Sequence, residues 1–218
     1  MIGFVVGMHS EARLLSGGRV VCSGGIPVTA RRLADQLLRE GAAGLVSFGI
    51  AGGLDARLST GTLVVGSAVA ANGEAIPAEV DWCRRLSQAL PSAVSGIICG
   101  AEAVAATAAA KQALQRQSGG LVVDLESGAV AEACRLAGKP FAVLRAVADP
   151  AGRAVPTLAM AGLGPDGRTR PWAVAGGLAR RPWELPALIR LGVETGAALR
   201  ALSAAAGLLG PALGFDLL

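Results

Sequence analysis

VVDLESGA, residues 122–129, changes character halfway along. An apolar run, 121–123, leads into two carboxylates, Asp124 and Glu126, and two small residues follow, Ser127 and Gly128. From there apolar residues recur at Ala129, Val130, Ala133, Cys134 and Ala137, which lie on one face of a helix. The stretch therefore reads as a buried strand, acids at its carboxyl end, and then a helix. In open α/β sheets that end of a strand is where ligands sit. Glu126 has a second reading, as an acid favoured by the positive end of the helix dipole. These eight residues alone do not choose between the two.

The same alternation extends in both directions. Continuous apolar runs predict strands at 2–7, 20–23, 44–50, 62–70, 94–99 and 141–148. Helical spacing predicts helices from Ala30 to a stop at Gly41, and over 78–90, 103–117 and 182–208. Strands alternating with helices imply an α/β fold, a single domain over 1–218 with a mostly parallel, twisted central sheet flanked by helices. The strand runs are apolar throughout, as burial on both faces requires. After Pro150 the character changes. Residues 151–181 carry Gly, Pro and Arg, with Gly164-Pro165-Asp166-Gly167 as a turn, and read as a lid or substrate-entrance segment within that domain.

Composition narrows the function classes. Of 218 residues 52% are hydrophobic and 17% charged, so the chain builds a full core and is not disordered. Tyr is absent and aromatics total 3%, which argues against a stacking surface for nucleic acid. The net charge of +4 is too mild to demand a polyanionic partner. Four Cys without a CxxC pair, together with one His, give no zinc site and suit a reducing compartment. No secretory leader is legible, and the longest charge-free stretches are 16 residues, short of a membrane span. The expected location is cytoplasmic.

Four predicted strand ends carry unusual residues: Glu11, the Ala51-Gly52-Gly53 turn, Glu126 and Asp149. Three acids and a glycine turn without a metal-ligand set suit acid/base chemistry on a neutral or cationic substrate. No cofactor is implied.

The segments IGFVVGMHSEARLL, SGGIPVTA, FGIAGGLDARLSTGTLVVGSAV, VVDLESGAV and LRAVADP occur in that order over about the first 150 residues. Each is weak alone, as short glycine motifs are. In this order the chain resembles the purine nucleoside phosphorylase and methylthioadenosine nucleosidase superfamily. The tail, RAVPTLAMAGLGPDGRTRPW with an Arg-rich helix, resembles its hopanoid-associated branch, whose members are thought to remove adenine from adenosylhopane.

The resemblance implies a role for each residue. Asp149 matches the acid that protonates purine N7 as the base leaves, and Glu126 the acid that holds the ribose hydroxyls, with Leu125 packing near the sugar in place of the usual Met. Glu11 stands where phosphorylase branches carry an Arg for phosphate and the nucleosidase branch a Glu that activates water, so the segment leans to hydrolysis. Inorganic phosphate remains the alternative co-substrate. Gly7, His9, Ala51 and Gly52 match the nucleophile or phosphate region. Ile50 replaces a Ser of the nucleosidase pattern. Ala103 and Val104 stand where the base pocket usually has an aromatic. Trp172, Trp183, Leu158, Met160 and Leu163, with neighbouring Arg, suit either a greasy entrance touching a membrane or a lid and dimer contact. A homodimer is implied. Two rival readings stand beside adenosylhopane: a methylthioadenosine or adenosylhomocysteine nucleosidase, and a non-catalytic nucleoside- or lipid-binding protein.

Overall fold

The computed structural model describes residues 1–162, 164, 166–168 and 170–215. Leu163 and Pro165 lie outside the described residues. In chain order the elements are β1 Ile2–Val6, α1 His9–Ala12, β2 Arg19–Cys22, α2 Pro27–Arg39, β3 Gly44–Gly53, β4 Leu63–Ala71 and β5 Glu74–Pro77. They continue as α3 Val80–Ala89, β6 Val94–Gly100, α4 Ala108–Ser118, β7 Val122–Asp124, α5 Ser127–Ala137 and β8 Phe141–Asp149. After these come α6 Thr157–Ala161, α7 Pro171–Leu178, a 3-10 turn Pro182–Glu184, and α8 Leu185–Leu209.

The expected α/β fold with a flanked central sheet is present, but its strands are mixed in direction and partly closed. The order is β2-β1-β3-β7-β6-β4-β5, while β8 bridges β3 and β4. Strands β3, β8, β4, β6 and β7 thus close a ring. Five pairings are parallel, and β3/β7, β4/β5 and β4/β8 are antiparallel. The cause lies in β3, which runs ten residues where the sequence predicts seven. Its first half pairs with β1 as far as Ser47, and its last two residues pair with β7. Its pairing with β8 shifts register at Ala51/Gly52, just where β7 takes over. The edge of β3 between Ser47 and Gly52 is left open to side chains, and the site forms there.

Apolar clusters fill both faces. One gathers Ala30, Ala34 and Leu37 of α2 with Val130 and Cys134 of α5 against Val5, Leu45 and Val143. The other packs Trp82 and Leu86 of α3, and Ala198, Leu202 and Ala205 of α8, against Phe4, Phe48 and Leu144. Trp82 is fully buried and its indole N–H donates to the carbonyl of Leu213 at 2.7 Å.

Two local expectations shift. The helix predicted from residue 103 begins at Ala108, because Thr107 caps it by accepting the Ala110 N–H at 3.1 Å. The edge strand β5 is absent from the sequence reading. Its signal is the dipeptide Asn72-Gly73, both at positive φ (52° and 80°), which turns β4 back on itself as a hairpin.

Candidate active site

A cavity of about 650 Å³ opens over the carboxyl ends of β3, β7 and β8. Its floor holds Gly7, Glu11, Ala51, Gly52, Leu125, Glu126 and Asp149, and Ala103 and Val104 line one wall. His9 is not part of the lining. Its backbone N–H bonds the carbonyl of Gly167 at 3.1 Å, where the 151–181 segment meets α1.

Glu11 is buried. One carboxylate oxygen accepts the N–H groups of Gly7 at 2.9 Å and Met8 at 2.8 Å. The other accepts the N–H of Ile50 at 2.8 Å, filling the open edge of β3. The close approach needs glycine on both sides. A Cβ at Gly49 would stand 2.5 Å from Glu11 Oε1 and 2.6 Å from Arg145 Nη1, and one at Gly7 would stand 2.8 Å from Glu126 Oε1.

Asp124 and Glu126 divide the two roles that the sequence leaves joined. Asp124 Oδ1 accepts the N–H of Glu126 at 2.8 Å and of Ser127 at 2.7 Å, so Asp124 supplies the cap of α5. Glu126 makes no cap bond. Its Oε1 accepts the Ser23 hydroxyl at 3.1 Å, and its Oε2 lies 3.4 Å from Arg145 Nη2. Arg145, midway along β8, is fully buried. Its Nε lies 2.8 Å from Asp124 Oδ2, and Nη2 also bonds Ser47 and Ser127. Two carboxylates thus pair with one guanidinium, and the charge of Glu11 acts on it as well.

Asp149 ends β8 on the other side of the cavity, ion-paired with Lys111 Nζ of α4. Neither Arg145 nor Lys111 was found from sequence. The signal for Arg145 was a lone cation inside the apolar run FAVLRAVAD, since a buried charge requires partners. Lys111 is one of two lysines in a chain whose other basic residues are arginines, on an alanine-rich helix.

The electrostatics follow from burial. Desolvation pushes Glu11 above the usual carboxylate range, against Arg145 and three backbone N–H groups. Desolvation also drives Glu126 up to about 7, with Arg145 opposing it and the Asp124 and Glu11 charges adding to it. Asp149 is raised by burial and held back by Lys111. Glu126 therefore exchanges a proton near neutral pH, as general acid/base chemistry requires. Among the described residues no three His, Cys, Asp or Glu side chains are grouped to hold a metal ion.

A family profile described as "Phosphorylase superfamily" matches residues 4–161. The chain belongs to that superfamily. It is an enzyme of the purine nucleoside phosphorylase or nucleosidase type, cleaving N-glycosidic bonds. Solved structures agree on the fold. S-adenosylhomocysteine nucleosidase from Streptococcus pyogenes, in complex with 5-methylthiotubericidin, is 22% identical over 69% of this chain and 84% of its own, with a TM-score of 0.64. The 5'-methylthioadenosine/S-adenosylhomocysteine nucleosidase of Neisseria meningitidis, in complex with methylthio-immucillin-A, is 18% identical over 94% and 96%, with a TM-score of 0.65. A putative nucleosidase of that kind from Francisella philomiragia is 15% identical over 95% and 97%, with a TM-score of 0.68. A comparison with curated protein sequences finds no match.

Proposed function

We propose that this enzyme hydrolyses the N-glycosidic bond of a purine nucleoside with a bulky apolar 5' substituent, adenosylhopane being the candidate, and releases adenine. The observation that carries hydrolysis is the Glu11 carboxylate lying in the N–H cradle of Gly7, Met8 and Ile50. An anionic phosphate would want those donors, and a buried carboxylate holds them already. The buried guanidinium beneath that cradle, Arg145, is paired with Asp124 and Glu126. An ionised carboxylate has about four acceptor sites. Three are used at Glu11, and the fourth suits one water molecule.

The chemistry follows from this layout. The bond from C1' to the base breaks and its electron pair leaves with the purine. Protonated Asp149 delivers its proton to N7, since an adenine anion is a poor leaving group. Glu126 accepts the ribose hydroxyls and stabilises the oxocarbenium-like sugar. Water held by Glu11 closes on C1' and gives its proton to that carboxylate. Leu125 packs against the ribose, and Ala103 and Val104 leave room at the base.

The apolar substituent is supported by the roof. Val155, Met160, Val174, Leu188 and Leu191 line the cavity's upper part. The same helices expose Trp172 (87%), Trp183, Ile189 and Val193, with Arg180, Arg181 and Arg190 beside them. Such a face fits peripheral contact with the inner surface of a membrane, from which a lipid nucleoside could enter beneath a 151–181 lid. Among the described residues no helix is long and apolar enough to cross one. The competing use of this face is a homodimer contact. Methylthioadenosine and adenosylhomocysteine are the second reading of the substrate, favoured by the activities named for the nucleosidases of like fold.

The test follows adenine release from adenosylhopane and from methylthioadenosine, with and without phosphate. Release independent of phosphate, giving free sugar, is expected; phosphate-dependent release of a sugar 1-phosphate overturns hydrolysis. Faster turnover of methylthioadenosine selects the second reading. Asp149→Asn, folded as judged by circular dichroism, should lose about 10²–10⁴ in rate.

A further inference from the structure

Helix α4 buries a single residue among its eleven, and that residue is the charged Lys111, 1% exposed. Its Nζ is ion-paired with Asp149 Oδ2 and donates to the carbonyls of Asp149 at 3.1 Å and Pro150 at 3.0 Å. All three ammonium donors are therefore spent on one carboxylate and the backbone around it. Lys111 does not line the cavity, whereas Asp149 does. A surface ion pair would not require burying a lysine, and ordinary packing would be served by an aliphatic side chain, as elsewhere in this core.

We infer that Lys111 is a positioning residue that fixes the orientation of the Asp149 carboxyl and sets the pH range over which it carries the proton for the leaving base. The inference rests on the reading of Asp149 as proton donor. With Oδ2 held by Lys111, the other oxygen is left to the cavity. The ammonium favours the ionised carboxylate, against the burial that favours the neutral acid. The other charges facing Asp149 are few. Glu194 of α8 pushes in the same direction as burial, and is itself paired with Arg153 at 3.1 Å. From β3 and β7 the neighbours are Gly52 and Val123, both uncharged. Lys111 is thus the cation in direct contact with this acid, and losing it should leave Asp149 protonated to higher pH.

The experiment measures kcat/KM for adenine release between pH 5 and 9 on the full chain, with methylthioadenosine and adenosylhopane as probes. In Lys111→Met the alkaline limb, where the acid loses its proton, should move up by about one pH unit or more, a tenfold change in proton affinity. Lys111→Arg, which keeps the charge, should leave the limb in place while kcat falls several-fold, because the planar fork does not repeat the ammonium's geometry. Should Lys111→Met not fold, Lys111→Gln carries the same test, since it keeps a donor and loses the charge. A limb that stays put in a folded, uncharged variant overturns the inference, even where the rate drops at every pH. Asp149→Asn separates the two claims. Full activity there refutes the reading of Asp149 itself, whereas an inactive Asp149→Asn beside an unmoved Lys111→Met limb refutes only the role of Lys111.

Discussion

The two sides of the cavity hold buried ions in different proportion. Around Arg145, two carboxylates pair with one cation and the charge of a third, Glu11, also acts on it. Around Lys111, one carboxylate faces one cation. The first cluster has more acid than it can keep ionised, so burial and mutual repulsion leave Glu126 near neutrality. The second is balanced, and its acid can be swung by one partner. In the proposed mechanism the difference suits the work of each side. Binding sugar hydroxyls and holding water call for many acceptors in a fixed frame. Protonating a base calls for one acid whose proton can leave and return.

The comparison breaks most severely if the shared cation goes. Arg145→Met leaves Asp124, Glu126 and Glu11 buried with no positive partner, and Ser47 and Ser127 each lose a donor. Removing one member of a buried ion network costs about 3–5 kcal/mol. A fall of that size is expected in the unfolding free energy from denaturant titration, with activity lost as well. A change under about 1 kcal/mol would mean that water, not Arg145, already compensates these acids.

A smaller effect comes from pH. Glu126 titrates at about 7 when folded and near the ordinary 4.5 when unfolded. Between those values the folded chain binds the extra proton, so stability falls as pH rises, by about 1.4 kcal/mol per unit for one such group. Glu11 and Asp149 shift in the same direction and add to the slope. Thermal melting without substrate should therefore show a higher Tm at pH 5 than at pH 7.5, and Glu126→Gln should flatten the slope. A Tm that rises over this interval would place Glu126 as a fully compensated carboxylate.

How much of this was legible depends on what a residue must do locally. The strands and most helices follow from apolar spacing, because burial is written in the residues that are buried. Glu11, Glu126 and Asp149 were legible as candidates because acids at strand ends stand out from their surroundings. The counter-ions were not. Arg145 sits inside an apolar strand and Lys111 on an alanine-rich helix, and each is explained only by a carboxylate 19 to 38 positions away. Ring closure of the sheet was hidden for a like reason. The register shift at Ala51/Gly52 comes from pairings with β7 and β8, and no periodicity in β3 announces it. The hairpin to β5 is written in the turn dipeptide Asn72-Gly73, a signal that apolar spacing does not carry.

The smallest expected effect tests whether the roof belongs to the site at all. Met160 lines the cavity and is 45% exposed, so it stands at the mouth rather than in the core. Met160→Gln should leave stability within about 0.5 kcal/mol, as surface substitutions do. If the 5' substituent passes this point, the variant loses apolar contact worth about 1 kcal/mol, or roughly a five-fold rise in KM for adenosylhopane. Methylthioadenosine is too short to reach as far and should be indifferent. An equal rise for both substrates would move Met160 from the entrance to the sugar, and the charged floor would then choose the substrate without help from the roof.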